Sequence, residues 1–308
     1  MTKRLEIYVG WTCNQKCTYC MEFPNMEKDW NTLVTKQEIL KYLIKYKIKG
    51  FNHITYLGGE PFIQPVFLDA LRLGKKMGFT ILVTTNATTL HIKKEAKKFL
   101  SYIDELILSV QAIDKHLQQK ISRTNAFVKW DDVFDNINKY WDGVYLKANT
   151  VITKDNLNDL FDITKYVISK GIKNIAITYP DLSLEYYGIK HLKERVAPTY
   201  TESMNVVKKI KEYCEIKKIS LKIVDFPFCI FPKDNFISFV NKTDEIDYGN
   251  RVKVLESGNE LDRSEVLPRD RRLINKCNDC KYNNLCWGPA VNYNKLYGYS
   301  EIKPIKND

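Results

Sequence analysis

Along the first part of the chain the apolar residues change period repeatedly, and this alternation constrains the fold more than any other feature. Leu5, Ile7 and Val9 alternate with their neighbours as in a strand. Thr35 and Glu38 form a capping box, and Ile39, Leu40, Leu43, Ile44 and Ile48 then recur at helical spacing up to Gly50. Strand-like runs follow at 53–57, 80–85, 105–110, 144–152 and 174–179. Helical patterns separate them at 65–77, 91–100, 130–141 and 157–168, with Gly78 and Gly171 closing two of these helices. Such alternation predicts parallel strands joined by right-handed crossovers, an α/β fold. No G-x-G-x-x-G follows the first strand, so a barrel-type arrangement is expected in place of a dinucleotide-binding sheet. Residues 181–198 read as an irregular connection. Thr199 and Glu202 then cap a long helix, and a strand spans 220–225. The stretch 230–276 is polar with little periodicity. The expected division is a core of 1–198 and an extension of 199–308.

Two motifs sit at expected strand ends. The loop after the first strand holds Cys13, Cys17 and Cys20, a C-x3-C-x2-C spacing. Three thiolates this close can hold three irons of a cubane cluster and leave the fourth iron open, whereas a structural site normally takes four protein ligands. A zinc knuckle or half of a disulfide framework is the other reading of the spacing. One β/α unit later, Gly58-Gly59-Glu60-Pro61 follows the second strand. Two glycines let a backbone approach a ligand closely, and the carboxylate that follows can accept hydrogen bonds from an ammonium group. Taken alone this segment also makes an ordinary turn.

With Tyr19 just before its last cysteine, the loop resembles the signature of the radical S-adenosylmethionine (SAM) superfamily. Gly58 to Pro61 resembles that family's GGEP motif. The resemblance implies a partial (β/α)6 barrel of TIM type, open on one side, with its chemistry at the strand C-terminal ends. It implies a [4Fe–4S] cluster on Cys13, Cys17 and Cys20 whose open iron is chelated by SAM. It also implies reductive cleavage of SAM to a 5′-deoxyadenosyl radical that abstracts a substrate hydrogen. The backbone and carboxylate of Gly58, Gly59, Glu60 and Pro61 are expected around the SAM amino group. Asn86 matches the end of the family's third strand, Ser109 and Arg123 match positions that meet the SAM carboxylate, and Asn149 matches a ribose contact. Read as residues alone, each of these four also fits a turn cap or a solvated polar group.

A second group of cysteines lies near the C-terminus: Cys277, Cys280 and Cys286 in C-x2-C-x5-C spacing, with Cys229 upstream. Four thiolates suit either zinc or a [4Fe–4S] cluster. The segment 280–288 resembles the end of the SPASM and Twitch extensions of radical SAM enzymes, which implies a small irregular iron–sulfur extension with one auxiliary [4Fe–4S] cluster. Cys229 is the ligand with the least support from spacing. Cys214 falls on the apolar face of its helix, where it reads as a small buried hydrophobe; a hydrogen-atom donor is the alternative. His53, His91, His116 and His191 share no motif.

Eight cysteines in a chain with no apolar signal region point to metal or redox chemistry, and a cytoplasmic location is expected. No run of 18 apolar residues exists, so no membrane span is expected. The formal net charge of +11 suits an anionic partner such as a flavodoxin- or ferredoxin-type electron donor. No nucleic-acid motif accompanies the scattered lysines. The expected substrate is a ribosomally made peptide, to which the resemblance of the extension points, although the core begins already at Arg4 and leaves no leader-binding domain ahead of it. The alternative is a small molecule such as a sugar, aminocyclitol or nucleoside. A non-catalytic iron–sulfur or zinc protein is the remaining class.

Overall fold

The computed structural model describes residues 3–23, 26–27, 33–183, 188–231, 251–254, 260–262 and 271–306. The chain divides into two compact units, one of 1–147 with 245–266 and one of 148–244 with 267–308. The expected core of 1–198 therefore takes in the start of the second unit as well as most of the first.

In the first unit β1 (Arg4–Tyr8), β2 (His53–Leu57), β3 (Thr80–Thr85) and β4 (Glu105–Ser109) lie side by side, all parallel. The register pairs Tyr8 with Leu57, Tyr56 with Val83 and Thr85 with Leu108, so the strands end nearly level. Leu5, Ile54, Tyr56, Ile81, Val83, Leu106 and Leu108 are shut off from solvent. Burial on both faces of a parallel sheet selects such branched and aromatic side chains. The Thr35–Glu38 capping box is present and opens the helix Lys36–Ile48. That helix buries Ile39, Leu43 and Tyr46 and leaves Ile44 and Ile48 at 46% and 82% exposure, so its core stripe is narrower than the apolar spacing suggested.

Three elements of this unit were not expected. The helix Lys115–Ser122 opens on an Asp114 cap and buries Leu117, Gln118 and Ile121. Strand β8 (Arg251–Val254) pairs parallel with the free side of β1, and β9 (Glu260–Asp262) pairs antiparallel with β8. Strands of four and three residues are too short for a period-2 pattern to register.

Strand β5 (Tyr145–Val151) runs from the end of the first unit into the second. There β6 (Asn174–Thr178) and β7 (Ser220–Val224) pair in parallel, Asn174 opposite Ser220 and Thr178 opposite Val224. Within each unit the paired strands, β1 to β4 in the first and β6 with β7 in the second, are parallel and separated by helices, as the α/β alternation predicts. A core of tyrosines ties the C-terminal segment to the end of β6. Tyr200 stacks on Tyr293 with centroids 4.1 Å apart and packs tilted against Tyr179 at 4.6 Å. Their hydroxyls are matched: Tyr179 donates to the Pro198 carbonyl, and Tyr200 accepts from the Ala290 N–H at 2.9 Å. Buried Arg271 donates to the Tyr179 and Pro180 carbonyls at 3.3 and 3.4 Å. Such buried, hydrogen-bonded aromatics fix one packing of the segment, because any other would strand polar atoms in the interior. No helix among the described residues is long and apolar enough to cross a membrane.

Candidate functional site

The first motif cluster is assembled wholly within the first unit. The cysteine loop leaves β1, Gly58–Pro61 leaves β2, Asn86 follows β3 and Ser109 closes β4, so level strand ends bring the four segments together. The loops bond to one another directly. Gly59 N–H donates to the Gly10 carbonyl at 2.9 Å and Glu60 N–H to the Thr12 carbonyl at 3.0 Å. A Cβ on Gly59 would lie 2.2 Å from the Thr12 carbonyl oxygen, and one on Gly58 2.3 Å from that of Gly10. The two glycines thus let the exit of β2 lie flat against the segment leading into Cys13; the close approach expected toward a ligand is first of all an approach to the chain itself. Pro61 starts a short 3-10 turn, capped by the Glu60 side chain.

Glu60 is 1% exposed and its carboxylate faces inward. One oxygen accepts from Thr85 Oγ1 at 2.6 Å and Phe62 N–H at 3.2 Å, the other from Asn86 N–H at 2.8 Å. The side chain therefore locks the ends of β2 and β3 together. Burial pushes this carboxyl up to about 7, against the pull of the three donors. Asn86 is also engaged within the chain. Its amide donates to Asn14 Oδ1 at 3.0 Å and lies 3.9 Å from Cys13 Sγ, and Thr88 closes a polar triangle with Asn14 and Asn86.

The middle of the cysteine loop rests on the helix Lys115–Ser122. Lys16 and Thr18 N–H groups donate to the carbonyls of Ser122 and Ile121 at 2.8 and 3.0 Å. Arg123 ends that helix in the left-handed region, φ 52°, and its Nε donates to the Lys16 carbonyl at 2.6 Å. Tyr19 is half-buried against Ala112, Leu117 and Ile121, and its hydroxyl donates to the Cys17 sulfur. Cys13 and Cys20 pack on Tyr8, Trp11 and Met26. Burial pushes the Cys17 thiol up to about 11 and the Cys20 thiol up to about 12, and raises Cys13 further. Arg123 and Tyr19 oppose this at Cys17. Thiols so buried lose their protons when a metal takes its place, so their ionisation is coupled to metal loading.

The donor set suits an iron–sulfur cluster. Three thiols occupy one loop, and a Tyr19 hydroxyl and an Asn86 amide are aimed at two of the sulfurs, as donors around a coordinated thiolate are. Among the described residues no three His, Cys, Asp or Glu side chains converge on a point that would hold a single metal ion. In a cubane each thiolate binds its own iron.

In the second unit Asn149 lies on β5, where its Oδ1 accepts from Thr178 Oγ1 at 2.9 Å. Cys229, Cys277, Cys280 and Cys286 line one small pocket, walled by Pro227, Phe228 and Leu273 among others. Cys229 sits on a short 3-10 turn after β7 and joins the other three, a convergence that spacing left open. Cys286 Sγ accepts from the N–H groups of Phe228 and Gly288 at 3.4 and 3.3 Å. Cys229 Sγ takes a backbone bond from Lys303, while burial and the neighbouring sulfurs push its thiol up to about 12. Four sulfurs, that of Cys277 on a buried residue and those of Cys229, Cys280 and Cys286 on half-buried ones, two of them with backbone donors, form a donor set that suits a four-thiolate cluster. Cys214 is 1% exposed inside its helix face, as the hydrophobe reading expects.

The family model described as the Radical SAM superfamily matches residues 7–167, which contain the whole of the first motif cluster. The chain belongs to the radical SAM superfamily. It is 30% identical over 172 residues to an S-adenosylmethionine-dependent nucleotide dehydratase of Flammeovirga pacifica, covering 50% of this chain and 54% of that one. The chain thus spans about half the length of that curated relative. A GTP 3′,8-cyclase of Clostridium botulinum is 27% identical over 298 residues, covering 91% of this chain and 89% of the cyclase. Among solved structures, anSMEcpe with bound AdoMet and Cp18Cys peptide superposes with a TM-score of 0.61 at 17% identity, over 98% of this chain and 93% of that one. That likeness shows the fold. This radical SAM chain is accordingly an enzyme of a family that works with a [4Fe–4S] cluster and SAM.

Proposed function

We propose that the chain is a radical SAM enzyme with one auxiliary [4Fe–4S] cluster that modifies a ribosomally made peptide. The observation that carries the reading is the convergence of Cys229 with Cys277, Cys280 and Cys286 on one pocket of the second unit. Cys13, Cys17 and Cys20 would hold the cluster that, with SAM bound, supplies a hydrogen-abstracting radical. The chain's own residues do the positioning. Asn86 and Tyr19 orient Cys13 and Cys17, and Glu60 fixes the β2 and β3 ends against which the SAM amino group is expected at Gly58 and Gly59. Ser109 and Asn149 are the candidates for the SAM carboxylate and ribose. With four thiolates the auxiliary cluster would be closed, so it would wall the substrate or relay electrons without coordinating it. The functional division proposed is a core of 1–198 that carries the first cluster and an extension of 199–308 that carries the second. The basic charge balance fits an acidic flavodoxin- or ferredoxin-type donor.

The peptide reading is supported by the fold likeness to a peptide-bound radical SAM enzyme over nearly the whole chain. A nucleotide is the second reading, favoured by the two curated relatives, a nucleotide dehydratase and a GTP cyclase. Anaerobic reconstitution is expected to load about eight irons per chain, and Cys229→Ser to lower this toward about four. About four irons plus one zinc in the wild type would remove the auxiliary cluster. Reduced protein with SAM should release 5′-deoxyadenosine, and Cys17→Ala should release none. Deuterium appearing in that 5′-deoxyadenosine from a deuterated peptide encoded beside the gene supports the peptide reading. Deuterium from ribose-deuterated GTP supports the nucleotide reading instead.

A further inference from the structure

We propose that Arg123 is a positioning residue of the cysteine loop and that its charge raises the reduction potential of the cluster the loop holds. This rests on the reading that Cys13, Cys17 and Cys20 carry that cluster. The geometry is specific. Arg123 closes the helix Lys115–Ser122 at φ 52° and ψ 31°, a left-handed position where glycine is the usual residue. An arginine there holds a strained backbone, and its side chain compensates by bonding: Nε donates to the Lys16 carbonyl at 2.6 Å, and the guanidinium lies over the Phe23 ring at 5.4 Å. The last helix carbonyls lack partners within the helix, and here those of Ile121 and Ser122 receive the N–H groups of Thr18 and Lys16. The loop therefore caps the helix, and Arg123 clasps the loop from the other side. Cys17 lies between the two loop residues held in this way.

The electrostatics follow from the placement. A helix C-terminus carries partial negative charge, which disfavours an anionic cluster bound one residue away. Three thiolates make the cluster site anionic, and reduction adds a further negative charge. The Arg123 cation offsets both, so it stabilises the reduced state more than the oxidised one. Because Arg123 is exposed, salt weakens its effect. This role differs from pairing with the SAM carboxylate, which the family resemblance implies for the same residue. For a cluster without SAM the two differ: the charge role predicts a shifted midpoint on loss of the cation, the carboxylate role none.

The test is EPR-monitored potentiometry on the reconstituted full-length chain, comparing wild type, Arg123→Gln and Arg123→Lys. SAM addition identifies the loop cluster, because only an open iron responds to it. Without SAM, Arg123→Gln is expected to hold about fivefold less reduced loop cluster at a fixed potential, about 40 mV more negative at 59 mV per tenfold for one electron. The gap should shrink as ionic strength rises. Arg123→Lys should keep the wild-type ratio within about twofold, yet lose iron to a chelator faster, because an ammonium cannot reproduce the guanidinium contact. An unchanged midpoint in Arg123→Gln overturns the charge assignment. An unchanged midpoint together with weakened SAM binding overturns it in favour of the carboxylate role. A wild-type chain with no SAM-responsive signal overturns the cluster reading itself, and Arg123's role with it.

Discussion

Glu60 offers a quantitative check on how the first motif cluster is built. Its carboxyl is pushed up to about 7 from an ordinary 4.5, with burial as the largest cause. Folding therefore disfavours its ionised form. The stability contributed by the neutral carboxyl is fully present below pH 4.5 and is lost as pH rises through about 7. Each pH unit between those two values is worth about 1.4 kcal/mol, so the whole loss is on the order of 3 kcal/mol. Between pH 5.5 and 7.5 the same linkage gives about 2 kcal/mol. Glu60→Gln keeps the shape but does not titrate, and its amide nitrogen meets one of the three donors that now point at the carboxylate. Urea unfolding of wild type and variant at both pH values isolates the Glu60 contribution, since every other group titrates alike in the two. The wild type is expected to lose about 2 kcal/mol relative to the variant on going from pH 5.5 to 7.5. A constant difference between them would show that the three donors outweigh burial, and that Glu60 is ionised in the folded chain throughout this range.

Other outcomes follow from the same packing. Gly59→Ala drives a Cβ to 2.2 and 2.5 Å from the Thr12 and Trp11 carbonyl oxygens, backbone atoms with little room to yield. It should cost about 3 kcal/mol and lower the melting temperature, with loss of the loop cluster; an unshifted melting temperature would contradict the close approach. Tyr200→Phe leaves the buried Ala290 N–H without its acceptor. It should destabilise the chain by about 1–3 kcal/mol in urea unfolding and lower the iron retained by the C-terminal cysteines. Cys214→Ala should cost about 1 kcal/mol and leave the products of SAM cleavage and substrate turnover unchanged, as product analysis by mass spectrometry would report.

Much of the first motif cluster was legible because its parts are local. The capping box at Thr35 and Glu38, the strand periods and the C-x3-C-x2-C spacing each span a few residues, and short-range physics decides them. The partners of those parts were not legible. Nothing local distinguishes an Asn86 that meets a cofactor from one that bonds Asn14, nor a Glu60 aimed at a ligand from one that takes three donors of its own chain. Thr85, Thr88 and Gln64, which donates to the Thr12 carbonyl at 2.6 Å, carry no motif at all. The helix Lys115–Ser122 did have a signal in Asp114 followed by Leu117 and Ile121, but no glycine marks its end, because Arg123 occupies that position.

The sequence by itself pointed to six strands alternating with helices in a parallel α/β core, and to two groups of cysteines spaced as metal ligands are. Periodicity and ligand spacing are properties of neighbouring residues, and they survive in a single chain without coordinates. The tertiary structure alone decided what each group touches. Level strand ends bring the Cys13–Cys20 loop against Gly58–Glu60 and the end of a helix about 100 residues away, as the Lys16 to Ser122 bond shows. A buried tyrosine core anchors the segment 271–306, and Cys229 reaches sulfurs 48 to 57 residues further along the chain to share their pocket. Such contacts depend on where hydrogen-bonded polar groups can be buried together, which no local pattern records.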